Sequence, residues 1–200
     1  MSNNIINFFN TREDDIMCEL LKKLNGLTAD QLLEKYDIPP NPPINISLLL
    51  ERIGISEIPM DFTEIEKIMK YQPGDVLGAI FAKDNSLGIF YRQGDSVNRI
   101  RFTLAHEIAH CCIHADTLEK RHIELRSALS ATTPKEYKAN VFAGELLIPE
   151  STLKEIHSRY LIAPPLSNIA QIFKVSTNVM AARLEYLNLP YIRDTKPSDE

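Results

Sequence analysis

The sequence predicts an α+β fold, a small antiparallel β-sheet beside a helical core, and three observations point to it. The chain has 200 residues, 44% hydrophobic and 24% charged, which is enough apolar material to bury a real core. Two short apolar stretches, DVLGAIFA and LGIFYR, are joined by KDNS, a plausible hairpin connection. Beyond Gly94 the pattern turns helical to the end, with breaks near Pro134, Pro149 and Pro164-Pro165. There is no internal repeat and no low-complexity tract.

Taken in order, Thr11 followed by Glu13, Asp14 and Asp15 reads as a capped helix start, and Gly26 as its stop after IMCELLKKL. Thr28 caps a second short helix, ADQLLEKY. The segment IPPNPPI, residues 38 to 44, cannot continue a helix, because proline lacks the amide donor and constrains its predecessor. A boundary is therefore expected there: residues 1–43 form an N-terminal helical segment and linker, 44–160 the main domain, and 161–200 a helical C-terminal region. The main domain opens with a helix, SLLLERIG, ended by Gly54. An extended piece, SEIPMDF, a short helix, TEIEKIMKY, and the hairpin follow.

A net charge of −5 gives no general attraction to nucleic acid or anionic lipid. The opening MSNNIINFFNTREDD lacks the basic and long apolar regions of a secretory signal. No apolar run approaches the roughly 20 residues that span a bilayer. Three cysteines, two of them adjacent, make no disulfide framework. The expectation is a cytoplasmic protein with no membrane partner.

The chemistry concentrates in HEIAHCCIH, residues 106 to 114, within a helix of approximately RIRFTLAHEIAHCCIH. At about 100° per residue, His106 and His110 lie about 40° apart and one turn from each other, so their rings can converge on one ion. Glu107 sits about 100° round the helix, unable to share the ligand position but able to reach a metal-bound water. Phe102, Ala105, Ala109, Cys112 and Ile113 form the adjoining apolar stripe, placing the site at the edge of the core. HExxH alone would arise in roughly one shuffled chain in a hundred, so context must decide.

Two residue types compete to be the third ligand. Cys111 lies about 140° from His106, and Cys112 points into the apolar stripe, where it reads as a small core residue. The next helix, PKEYKANVFAGELLIP, offers Glu136, 26 residues after His110, with Asn140 one turn further on the same face. A carboxylate there can bind a metal while the amide orients a ligand histidine. The alternative for Glu136 is an exposed first-turn acid that stabilises a helix N-terminus. His114 either lines the cleft or closes its helix as a favourable partial cation.

At these two stretches the chain resembles a known family. RFTLAHEIAHCCIH followed by EYKANVFAGELLIP is similar to the ImmA/IrrE zinc metallopeptidases, whose pattern is close to RFTLAHELGHLLLH and then ExxANxFAxxLLMP. The likeness extends over roughly residues 44 to 190. It implies a zincin-like, gluzincin-type core in which His106, His110 and Glu136 bind one zinc ion and Glu107 is the catalytic acid/base. Ala109 stands where relatives often have Gly, and Lys138 where they are often acidic. The resemblance further implies endoproteolysis of a DNA-binding, helix-turn-helix repressor on a mobile element or stress-response locus. His114, Tyr137 and His122 are the candidates for a second electrophilic donor.

The tail LSNIAQIFKVSTNVMAARLEYLNL has helix-turn-helix-like spacing, with Ser167 as cap, Ala170 and Phe173 inward, Val175-Ser176 at the turn, and Ala181 and Leu184 on the second helix. Only Lys174 and Arg183 bring positive charge, which weighs against direct nucleic-acid binding. A non-catalytic alternative also follows from the residues: an antirepressor or toxin-antitoxin component that binds a partner and carries a structural metal.

Overall fold

Local caps set most of the boundaries. The computed structural model describes residues 19–83, 86–113, 115, 121–125 and 133–194. The helix start expected at Thr11 lies outside them. Helix α1 (Glu19–Leu24) runs into Gly26, whose φ of 80° suits a residue without Cβ. Gly26 N donates to Cys112 O at 2.8 Å, supplying a late carbonyl of the central helix with a partner. Helix α2 (Ala29–Lys35) starts with a reciprocal capping box between Thr28 and Gln31. Helix α3 (Ile46–Ile53) is capped by Asn45 and stopped by Gly54 in the left-handed region.

Strand β1 (Ile55–Met60), helix α4 (Thr63–Met69), strand β2 (Val76–Lys83) and strand β3 (Ser86–Arg92) follow. β2 and β3 pair antiparallel from Gly78↔Tyr91 to Lys83↔Ser86, as the hairpin reading expects. The sheet departs from expectation in two ways. β1 pairs with β3 in parallel, and a fourth strand, β4 (Arg121–Leu125), pairs antiparallel with β2. The sheet is therefore mixed, in the order β1-β3-β2-β4, and the chain beyond Gly94 is not wholly helical. RHIEL is five residues with three ionisable side chains, which no local apolar pattern marks as a strand. It forms because β2 offers it an open edge, and charged residues are common on such edges.

Helix α5 (Val97–Ile113) crosses the sheet, and α6 (Pro134–Leu147), α7 (Glu150–Ser158), α8 (Leu166–Phe173) and α9 (Thr177–Tyr186) complete the helical side. Alternation sorts the sheet residues. Ile80 and Ile89 join the main core with Leu104, Ile108, Phe142 and Leu184, while Ala79 and Val76 pack with Phe62 and Ile65 in a smaller cluster under α4. Leu21, Leu32 and Leu50 belong to the same main core: α1 and α3 pack on α5, the helix that carries HEIAH, and α2 packs on α6. Among the described residues, no helix is long and apolar enough to cross a membrane.

The C-terminal helices need one correction. Pro165, not Ser167, precedes α8, because the proline pair holds the chain extended up to Leu166. Ser167 is the second helical residue, and its N–H and hydroxyl donate to Asp194 Oδ2 and Oδ1 at 2.9 and 2.8 Å. Ser176 caps α9 by accepting from Val179 N, after Lys174 at φ 50° turns the chain. Ala170, Phe173 and Leu184 are buried, and Ala181 is partly buried against the core.

Candidate metal centre

Helix α5 begins where Ser96 accepts from Arg99 N and Ile100 N, and from Thr103 to Cys112 every residue is buried. A helix apolar all round is the usual tenant of such a position. Here His106, Glu107 and His110 are 1%, 0% and 2% exposed, and polar groups so deep need partners. The expected site at the core's edge thus lies inside it, because α1, α3, the sheet and α6 together cover the helix.

Helix α6 supplies those partners for the two histidines. Thr133 Oγ1 accepts from Glu136 N at 3.2 Å, and Pro134 occupies the first helical position, where no amide donor is missed. That start fixes Glu136 in the first turn and Asn140 one turn on. His106 Nδ1–H donates to Asn140 Oδ1 at 2.9 Å, so the proton sits on Nδ1 and Nε2 keeps its lone pair. His106 Nε2 faces Glu136 Oε2 at 3.0 Å and His110 Nε2 at 2.9 Å, and His110 Nε2 lies 3.5 Å from Glu136 Oε2. The two rings meet edge to face with centroids 4.7 Å apart.

Burial opposes ionisation of Glu136, but while the two imidazoles are protonated their hydrogen bonds and charge outweigh it and hold the carboxyl well below the usual range; once neutral, the same nitrogens offer lone pairs instead. A carboxylate and two imidazole nitrogens therefore converge, with all three ligand atoms within 4.8 Å of one another. Tetrahedral zinc with bonds near 2.0 to 2.2 Å sets its ligands about 3.3 Å apart, close to the separations found here. The donor set fits a divalent metal, with the half-buried Glu136 on the side nearest solvent. Among the described residues, His106, His110 and Glu136 form the one such group of His, Cys, Asp or Glu side chains.

Both cysteines of HEIAHCCIH are fully buried. Burial pushes the Cys112 thiol up to about 12, so it is a neutral core group. Tyr137, next to Glu136, is exposed on α6. His114 and the side chain of His122 lie outside the described structure.

Gly78 is a position that sequence reasoning missed. A Cβ added there would lie 2.6 Å from Thr103 Cγ2, 3.1 Å from Glu107 Oε1 and 3.2 Å from Phe90 O. Glycine in β2 is what lets α5 settle onto the sheet with Glu107 beneath it, next to a bulge between Val76 and Gly78. The available signal was a lone glycine inside the strand pattern DVLGAIFA.

A buried pair of histidines one turn apart, closed by a carboxylate from a second helix, marks the metallopeptidase class. The sequence model of the IrrE N-terminal-like domain, peptidase M78, matches residues 65–185, a span holding both helices of the centre, and the chain belongs to this family. A comparison with curated proteins gave no match.

Proposed function

We propose that the protein is a zinc-dependent endopeptidase that cleaves a specific cytoplasmic protein, a helix-turn-helix transcriptional repressor, and so relieves repression. The observation that carries this reading is the convergence of His106 Nε2, His110 Nε2 and Glu136 Oε2, with Asn140 fixing the imidazole that presents its lone pair.

His106, His110 and Glu136 would hold the ion through two neutral imidazoles and one carboxylate. Zinc bound there would supply Lewis acidity toward a water and the scissile carbonyl. Glu107 accepts the proton of the attacking water and delivers it to the departing amine as the carbon–nitrogen bond breaks. Its burial keeps that proton exchange away from bulk solvent. Asn140 keeps His106 in one tautomer throughout.

The C-terminal helices read as packing or substrate-recognition elements, not as a DNA reader. Arg183, one of the two cations of that segment, is 7% exposed. It is committed to Glu145 Oε1 at 3.3 Å and to Ile148 O at 3.2 Å. That leaves Lys174 as the lone solvent-facing cation across residues 166–186, too little for a phosphate footprint.

The test co-expresses wild-type chain or Glu107→Gln with helix-turn-helix repressors encoded beside its own gene, and reads the repressors' intact masses. One repressor should split into two fragments whose masses sum to the parent plus one water. Glu107→Gln should keep its metal and cut about 10² to 10⁴ times more slowly. Undiminished cutting by Glu107→Gln would remove that residue's role. A repressor that is bound and never cut would favour the antirepressor alternative.

A further inference from the structure

Two glycines stand inside strands of this sheet, and they answer different needs. A strand glycine adds backbone freedom to the unfolded chain and gives up a side chain, so its presence calls for a reason. At Gly88 in β3 a Cβ would find its nearest neighbour, Ile58 Cδ1, at 3.6 Å, which is ordinary contact. At Gly78 in β2 it would find Thr103 Cγ2 at 2.6 Å, Glu107 Oε1 at 3.1 Å and Phe90 O at 3.2 Å. Gly88 has room for a methyl and Gly78 has none.

Gly78 is buried in an inner strand, between β3 and β4. It shares a face with Ile80, which joins the main core, and α5 packs on that strand. Thr103 and Glu107 are one turn apart on α5, so the bare backbone of β2 meets two successive turns of the helix. The two contacts differ in kind. Thr103 is 3% exposed and meets the strand through a methyl, which is packing. Glu107 meets it through a carboxylate oxygen, the atom that exchanges the proton in the proposed reaction.

A glutamate has three rotatable side-chain bonds, and an acid/base that must meet one water beside His106 and His110 needs them fixed. Glu107 is fully buried, so it cannot swing out to solvent when crowded. A methyl at position 78 would therefore shift the carboxylate by a few tenths of an ångström within its cavity.

We infer that Gly78 is a positioning residue for Glu107: the side chain missing from β2 sets where the carboxylate rests. The inference rests on the endopeptidase reading and deepens it. The ligand histidine His106 is oriented by α6, and the acid on the same helix is placed by the sheet.

The test compares wild type with Gly78→Ala, Thr103→Ser, Gly88→Ala and the double variant Gly78→Ala/Thr103→Ser. Thr103→Ser deletes Cγ2, the nearest obstacle, so the double variant regains room to pack while the contact with Glu107 remains. Its Tm should rise from that of Gly78→Ala toward that of Thr103→Ser. The first readout needs no turnover: carboxyl ¹³C spectra of the metal-free, glutamate-labelled chain at one fixed pH, where the Glu107 signal is the one that Glu107→Gln removes. That signal should move in Gly78→Ala and in the double variant, and hold its place in Thr103→Ser and Gly88→Ala. The second readout is cleavage of the repressor found by co-expression. The double variant should lose roughly tenfold or more in kcat, with KM and zinc affinity unchanged.

An unmoved Glu107 signal would overturn the inference. So would kcat that recovers together with Tm in the double variant, which would make Gly78 a packing partner of Thr103 alone, and a double variant that does not fold would have the same meaning. A loss of kcat that follows a loss of zinc affinity would place the effect on the ligands and overturn it too. A wild-type chain that cuts no repressor, while the carboxyl signal moves as expected, sinks the endopeptidase reading and leaves the placement of Glu107 by Gly78 standing. A wild-type chain that cuts its repressor no faster than the double variant does the reverse.

Discussion

Two of this protein's inward-facing carboxylates, Glu66 beside the smaller hydrophobic cluster and Glu136 beside the main one, are satisfied in different ways. Glu66 on α4 is 3% exposed. Its Oε1 accepts from Gly74 N and Val76 N, each at 3.0 Å, and from the guanidinium of Arg92, which also stacks over Phe62. Burial raises its proton affinity, but those donors prevail and hold the carboxyl below its ordinary range. Glu136 on α6 instead faces the Nε2 atoms of two imidazoles, one of which has its other nitrogen committed to Asn140. The first arrangement is electrically complete with protein groups alone. The second gathers lone pairs of one kind, which is what a cation needs. A buried acid with its own arginine is a fastening, whereas a buried acid among oriented imidazoles is a binding site.

The sharpest way to break this distinction is to remove each acid in turn. Glu66→Ala strips the part-buried Arg92 of its carboxylate and leaves Gly74 N and Val76 N without their acceptor, and should cost about 3 to 5 kcal/mol in chemical denaturation, with metal content unchanged in the folded fraction. Glu136→Ala should abolish metal binding and change the stability of the metal-free chain by less than about 1 kcal/mol. If the two variants exchange these behaviours, the assignment of roles is reversed. A smaller effect belongs to Asn140→Ala, which should weaken metal affinity about 10- to 100-fold in a chelator competition while the fold stays intact. An unaltered affinity would mean that the hydrogen bond to His106 Nδ1 does nothing for the ligand.

The smallest effect is a pH dependence. The Glu66 carboxyl is lowered from an ordinary value of 4.5, so its contribution to stability is fully present above about that pH and is lost as pH falls through the lower folded value. Glu66→Gln should therefore flatten the acid limb of the stability curve, measured on the metal-free chain so that release of metal as the ligand histidines protonate does not intrude. An acid limb identical to wild type would show that this ion pair carries none of it.

The candidate site was far more legible than the sheet. His106 and His110 are four residues apart on one helix, so 3.6-residue periodicity alone brings them together, and Glu136 and Asn140 repeat that logic on the next. What joins the two helices is tertiary packing, and the family pattern supplied that pairing where spacing left Glu136 and the cysteines in competition. Strand β4 and the parallel β1–β3 pairing escaped because strand pairing is set by a distant edge, and Arg121, His122 and Glu124 look like surface in isolation. Ser167 looked like a cap for a related reason. The proline pair before it decides where α8 begins, and the acid that serves its N–H comes from Asp194, 27 residues away. The depth of HEIAH was hidden too, since three polar side chains suggested an edge and tertiary cover from three directions made a core.

The central claim is that HEIAHCCIH is half of a metal site completed by Glu136, with its cysteines acting as packing. The most direct test is metal content by plasma mass spectrometry on gel-filtered wild type, Glu136→Ala, and the Cys111→Ser/Cys112→Ser double variant. Near-stoichiometric zinc in the wild type and the double variant, with loss in Glu136→Ala, is the result expected. Zinc that survives Glu136→Ala and disappears with the cysteines would instead make the motif a structural knot, and the endopeptidase reading would fall with it.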